Sequence, residues 1–232
     1  DLPPQDQLLA AAERFQQAQA PPPAAQPAAV AAVIFQVEPT ARTDVRRTLI
    51  HPNDGLALER LIGLSDLTMI NYLEFGLLTA KAVCRIHIRL RNGRTVGFGT
   101  GFMVSPTLLL TNHHVLVTAE TALHSLAEFD FENDLNFLPK EGKRFRLDPT
   151  RFFYNNQALD FALVAVHPRG LDGTSLADYG FLRLIEESGK ALVGEPVTII
   201  QHPGGADKQI ALRNNRVLDL IEEFIHYETD TL

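Results

Sequence analysis

The chain has 232 residues, 45% of them hydrophobic, with 21 Lys and Arg against 28 Asp and Glu and a formal net charge of −7. That is enough material for one or two domains with a sizeable core, and the acidic balance excludes a generic polyanion binder, which needs clustered Lys and Arg. The longest apolar run, Ala28 to Phe35, is less than half of the roughly 18 to 20 residues a membrane helix needs. Neither nucleic acid nor a membrane is therefore expected as a partner. Cys84 is the only cysteine, so no internal disulfide can form and packing must hold the fold, as is usual in a reducing compartment. The first residue is Asp1 and no signal-peptide pattern follows it. The chain therefore reads as trimmed, with localisation unknown beyond a lean toward the cytoplasm.

In chain order, Leu8, Ala11, Phe15 and Ala18 share one helical face, which predicts a helix within residues 1–19. Pro21, Pro22, Pro23 and Pro27 among alanines then predict a linker that continues as an irregular segment to residue 54. Residues 55–80 read as a helical lead-in of two short helices, one around Leu56 to Leu61 and one after Ser65-Asp66 carrying Leu67, Ile70, Leu73 and Leu77. From residue 82 the period changes to two. Cys84, Ile86, Ile88 and Leu90 alternate with Arg85, His87, Arg89 and Arg91, which predicts a strand with one wet face, and Asn92-Gly93 supplies a hairpin turn. Short apolar runs at 102–104, 108–110, 161–166, 197–200 and 209–212, with no long helix between them, predict an all-β barrel or sandwich.

The segment Gly99-Thr100-Gly101-Phe102-Met103-Val104-Ser105-Pro106, followed by Leu108-Leu109-Leu110-Thr111-Asn112-His113-His114-Val115, sets two ionisable rings directly behind an apolar strand. Such rings are costly there unless polar partners meet them. Later, Leu159-Asp160-Phe161-Ala162-Leu163-Val164 opens another apolar strand on a carboxylate that also needs a partner. A core histidine and a strand-start turn residue would explain each singly. Together and in this order they resemble the trypsin-like (chymotrypsin-fold) serine peptidases, in particular the bacterial branch near the glutamyl endopeptidases.

The resemblance covers about residues 55–232. It implies a chymotrypsin-like double β-barrel over 81–232, with His114 as general base in the Thr-Asn-x-His-Val motif, His113 at the variable position, and Asp160 as the acid that orients the base. Gln201-His202-Pro203-Gly204-Gly205 and Tyr227-Glu228-Thr229-Asp230-Thr231 look like that branch's approach to the nucleophile, and Thr231 falls where a threonine lines the primary specificity pocket. None of Ser65, Ser105, Ser125, Ser175 or Ser188 lies in a Gly-x-Ser-Gly context. The nucleophile and the remaining strands of the second barrel are therefore expected beyond Leu232, in the same or a companion chain. Taken alone, this chain is expected to be inactive. The implied function is endopeptidase hydrolysis of a protein or peptide substrate, the alternative a non-catalytic peptidase-like module that binds or regulates a partner.

No metal or organic cofactor is expected. Asp130, Glu132, Asp134 and Glu141 have calcium-like spacing, but Leu135 stands where such a loop turns on Gly. His87, His124, His167, His202 and His226 show no zinc spacing. Gly97, Gly99 and Gly101 mimic a dinucleotide loop without its third glycine, and close strand packing is the better account of them.

Overall fold

The computed structural model describes residues 34–35 (backbone only), 70–184, 191, 193–213, 215–221 and 224–229. The expected helix within 1–19, nearly all of the Ala/Pro-rich and irregular segment, the first lead-in helix and Thr231 lie outside them. A two-residue strand, β1 (Ile34–Phe35), falls inside the segment expected to be irregular and pairs in parallel with β9 (Phe181–Leu182).

Helix α1 (Asn71–Ala82) is the second lead-in helix, with Glu74 in its first turn and Lys81 in its last, both favourable to the helix dipole. It runs two residues past the expected boundary, and Val83, in extended conformation at the C-cap, passes straight into β2 (Val83–Arg89). The hairpin turn forms as its sequence predicts: Gly93 N–H donates to Leu90 O at 2.8 Å, and Gly93 takes the φ of +81° that favours glycine. There follow β3 (Thr95–Met103), β4 (Leu108–Thr111), the short helix α2 (Ala119–His124), β5 (Leu126–Phe129), β6 (Lys143–Arg146), β7 (Phe153–Asn156) and β8 (Phe161–Ala165). Their antiparallel order is β6-β5-β2-β3-β4-β8-β7. Past β6 and β8 the backbone goes on bonding: Leu147 bridges Val166, Asp148 N–H donates to Ala165 O and His167 N–H donates to Arg146 O. The sheet thereby curls back on itself, although its strand ladder stays open.

Inside the curl lies the core, built from Cys84, Ile86, Met103, Leu109, Phe129, Phe145, Val164 and Val166, all essentially without exposure. Phe129 stacks on Tyr179 at 4.4 Å between ring centroids and meets Phe145 edge-on at 5.4 Å. The glycines of β3 serve packing. A Cβ on Gly99 would lie 2.6 Å from a Val115 methyl, and one on Gly101 would lie 2.8 Å from Ile86.

The all-β class expected from the sequence is found, but one face differs from expectation. Arg85 and His87 on β2 are buried, not wet. Phe98, Glu128 and the turn at Pro203–Gly205 cover them, because the chain's later half folds back over this side of the sheet. Its described residues hold two hairpins, β10 (Ile199–Gln201) with β11 (Gln209–Ala211) and β12 (Arg216–Ile221) with β13 (Phe224–Glu228), linked where residues 194–197 bond to residues 215–217. Much of their apolar surface is exposed.

Candidate active site

Register brings the site together. β4 and β8 are antiparallel neighbours with Thr111 opposite Ala162, so the residues just after β4 lie across from those just before β8. On the β4 side, buried Thr111 donates its hydroxyl to Thr100 O at 2.7 Å, and the chain then turns with Val115 N–H and Leu116 N–H donating to Asn112 O. Val115 and Leu116 are buried and anchor this turn. The His114 side chain stays 70% exposed at its crest. On the β8 side, Asn156 accepts Leu159 N–H, Gln157 O accepts Asp160 N–H, and Asp160 adopts φ +46° immediately before the strand.

His114 Nδ1 lies 2.8 Å from Asp160 Oδ2, and His114 backbone N–H donates to Asp160 Oδ1 at 3.0 Å. Asn112 Nδ2 donates to the same Oδ2 at 3.1 Å and to Asp160 O at 3.2 Å. Partial burial works against charge on Asp160. The bonds from the backbone and ring of His114, then from Asn112, outweigh it and hold the carboxyl below its usual range. With an ionised carboxylate facing Nδ1, that nitrogen carries the proton. Nε2 is then the basic nitrogen, on an exposed ring.

The structure thus joins His114, not His113, to Asp160. His113 Nδ1 is buried without a hydrogen-bond partner. Ser105 spends its hydroxyl accepting Thr107 and Leu108 N–H, and Ser125 bridges Arg89 N–H and Thr121 O. Among the described residues no serine hydroxyl bonds to His114. Burial pushes the Cys84 thiol up to about 12, so it offers no thiolate.

The four carboxylates with calcium-like spacing are occupied separately. Asp130 accepts the Tyr179 hydroxyl, Glu132 pairs with Lys140 and Lys208, Asp134 accepts two backbone N–H groups, and Glu141 pairs with Lys143.

Sequence reasoning assigned no role to Asn112, although it stands inside the motif. It also missed a buried ionic cluster. Arg85 binds Glu128 through two nitrogens, His87 Nε2 lies 2.7 Å from the same Glu128 oxygen, and Arg144 Nε donates to the other at 2.8 Å. Arg85 also donates to Gly205 O at 2.6 Å, with its guanidinium against the Phe131 and Phe98 rings. A signal was present: Glu128 sits among Leu126, Ala127 and Phe129, a carboxylate in an apolar run that must find cations.

Residues 99–232, more than half of the chain, match the family model of the trypsin-like peptidase domain. The uncharacterized protein y4fB of Sinorhizobium fredii is 44% identical over 183 residues, 75% of this chain and 28% of that protein. The secreted RxLR effector protein 73 of Plasmopara viticola is 32% identical over 142 residues, 59% of this chain and 33% of that protein. The chain therefore spans about a third or less of these curated relatives. Among solved structures, the active form of the Rv3671c protease from M. tuberculosis aligns at TM-score 0.43 and 20% identity, covering 63% of this chain and 52% of that one. On the family match, this chain belongs to the trypsin-like peptidase domain family.

Proposed function

We propose that the chain supplies the base and orienting acid of a serine endopeptidase. The observation that carries this reading is the 2.8 Å contact between His114 Nδ1 and Asp160 Oδ2, with the same carboxylate also gripping the histidine's backbone N–H. In the reaction, His114 Nε2 takes the proton of a serine hydroxyl as its oxygen attacks the scissile carbonyl, then delivers it to the leaving amine. Asp160 holds the tautomer and stabilises the imidazolium formed in between. The serine comes from a Gly-x-Ser-Gly segment outside these 232 residues, and backbone N–H groups around it hold the oxyanion. Within this reading the glutamyl-endopeptidase branch is the finer assignment. Thr231 would line the primary pocket and favour acidic side chains before the scissile bond.

A second reading is a peptidase-like module that binds or regulates a partner without cleaving it. A fluorophosphonate probe on the full protein separates the two. The enzyme reading expects labelling at a serine outside residues 1–232, lost in His114→Ala and retained in His113→Ala. Labelling at Ser105 or Ser125 would overturn the assignment, and no labelling at all would favour the binding module.

A further inference from the structure

We propose that Asn112 is a positioning residue for the dyad, a single side chain and carbonyl that tie the turn carrying His114 to the turn carrying Asp160. The inference rests on the reading of His114 and Asp160 as base and acid, and it deepens that reading.

Three facts carry it. First, Asp160 occupies a left-handed backbone conformation, φ +46°, which a residue other than glycine keeps only when its surroundings hold it there. Asn112 provides a hold at that point, since Nδ2 donates one hydrogen to Asp160 O and the other to Asp160 Oδ2. Second, the carboxylate is 43% exposed, so water competes for its oxygens. Of the three donors to it among the described residues, two belong to His114 itself, leaving Asn112 as the one independent of the histidine. Third, the Asn112 carbonyl accepts Val115 N–H at 3.2 Å and Leu116 N–H at 3.3 Å, closing the turn in which His114 sits. Backbone oxygen and side-chain nitrogen of one residue thus fix both partners.

The chemistry also selects the residue type. Only a primary amide offers two hydrogens on one nitrogen at this length without bringing a charge. Aspartate would set a second anion against Asp160, and serine has a single hydrogen to give. The amide's orientation follows from the same contacts, because the flipped form would set its oxygen against two acceptors.

The test uses the full protein with Asn112→Ala and Asn112→Asp. One measurement is steady-state kinetics on a short peptide substrate. The other is the low-field proton resonance of the His114 Nδ1–H, assigned by its loss in His114→Ala, which reports the bond to Asp160 whether or not the protein cleaves anything. The expected result for Asn112→Ala is a fall in kcat of about tenfold, the scale of one hydrogen bond to a charged group, with KM within about twofold and the resonance shifted upfield or broadened by exchange. Asn112→Asp keeps the side chain's shape, so any effect is not lost volume, and it should fall further than Ala because of like-charge repulsion. Wild-type kcat and an unchanged resonance in both variants would overturn the proposal. If the full protein has no peptidase activity, the enzyme reading fails, and the resonance still decides whether Asn112 holds the pair.

Discussion

The first half of the peptidase region and the second are built on different terms. Residues 83–166 form one seven-stranded sheet curled around a closed core, and their large side chains, Phe129, Phe145, Met103 and Leu109, are fully buried. Among the described residues of 199–228 are two hairpins whose strands pair neither with that sheet nor with each other, and Leu218, Leu220, Ile221, Phe224, Ile225 and Tyr227 on the second hairpin are exposed. Everything that builds the His114 and Asp160 contact belongs to the first half: the β4 and β8 register, the Asn112 turn, and Val115 against Gly99. The contact between the pair therefore uses no described residue of the second half. The halves are joined by polar contacts, Arg85 reaching Gly205 O and His202 N–H reaching Thr100 Oγ1, and by the rings of Phe98 and Phe131 against Gly205 and His202. Geometry of the pair and completion of the site are thus separable properties, and substitutions can separate them.

The largest expected effect lies at the pair. Asp160→Asn should preserve the fold but reverse the hydrogen-bonding preference at Nδ1. The expected cost is on the order of 10⁴ in kcat of the full protein, the scale of loss when the acid of a serine-peptidase triad becomes an amide and the histidine takes the wrong tautomer. A kcat within tenfold of wild type would show that Asp160 does not orient the base. Next comes the core beneath it. Phe129→Ala removes a fully buried ring from between Phe145 and Tyr179 and should lower unfolding free energy by about 3–5 kcal/mol. A urea titration measures it, and a loss under about 1 kcal/mol would mean that the first half is not the tight scaffold its packing indicates.

Two buried titratable groups, His202 in the second half and Glu128 in the first, make a third expectation, about pH. Burial holds His202 neutral, with the positive charges of Lys208 and Arg85 adding to it against the pull of the Ala206 carbonyl, and its pKa falls from 6.5 to about 4. A depressed base binds its proton less readily folded than unfolded, so its contribution is complete above about 6.5 and is lost as pH falls from there toward 4. For Glu128, burial opposes the charge, but the bonds from His87, Arg144 and Arg85 prevail and the pKa falls from 4.5 to about 2. Its contribution is present above about 4.5 and is lost between there and 2. Urea midpoints should therefore decline in two windows. His202→Asn, which keeps a donor toward Ala206 O, should flatten the upper one, and Glu128→Gln the lower. Unaltered slopes in both variants would show that other groups govern acid sensitivity.

Legibility followed chemistry and period. The meeting of His114 with Asp160 was readable because each lies in a short local motif, and β2, β3, β4 and β8 were readable because apolar residues run or alternate along them. β5, β6 and β7 were not, since Glu128 interrupts the apolar run of β5, and Phe145 and Asn156 are the single buried residues of β6 and β7. Their pairing is dictated by β2 and β8 rather than by local preference. The burial of Arg85 and His87 was unreadable from β2 alone. It depends on Phe98 of β3, Glu128 of β5 and a turn 120 residues away that places Gly205 O on the guanidinium. Asn112 was overlooked for a related reason: an amide in a turn motif is an ordinary turn residue until its acceptor, Asp160 in the turn before β8, is located.

The smallest expected effect tests the comparison at its other end. Leu220 and Ile225 are directly opposite each other on β12 and β13, and both are about half exposed. Cross-strand apolar pairs of this kind contribute roughly 0.2–1 kcal/mol, and exposed substitutions away from special features usually stay within about 0.5 kcal/mol. Replacing both by Ser should therefore leave the urea midpoint of the 232-residue chain nearly unchanged, a small fraction of the Phe129→Ala loss. Any self-association measured by light scattering should fall, because exposed apolar side chains favour association. The His114 Nδ1–H resonance should not move, since no contact that holds the pair runs through this hairpin. If the double substitution instead destabilised the chain as severely as Phe129→Ala, or displaced that resonance, the second half would be part of the scaffold after all, and the dyad's independence from it would be lost.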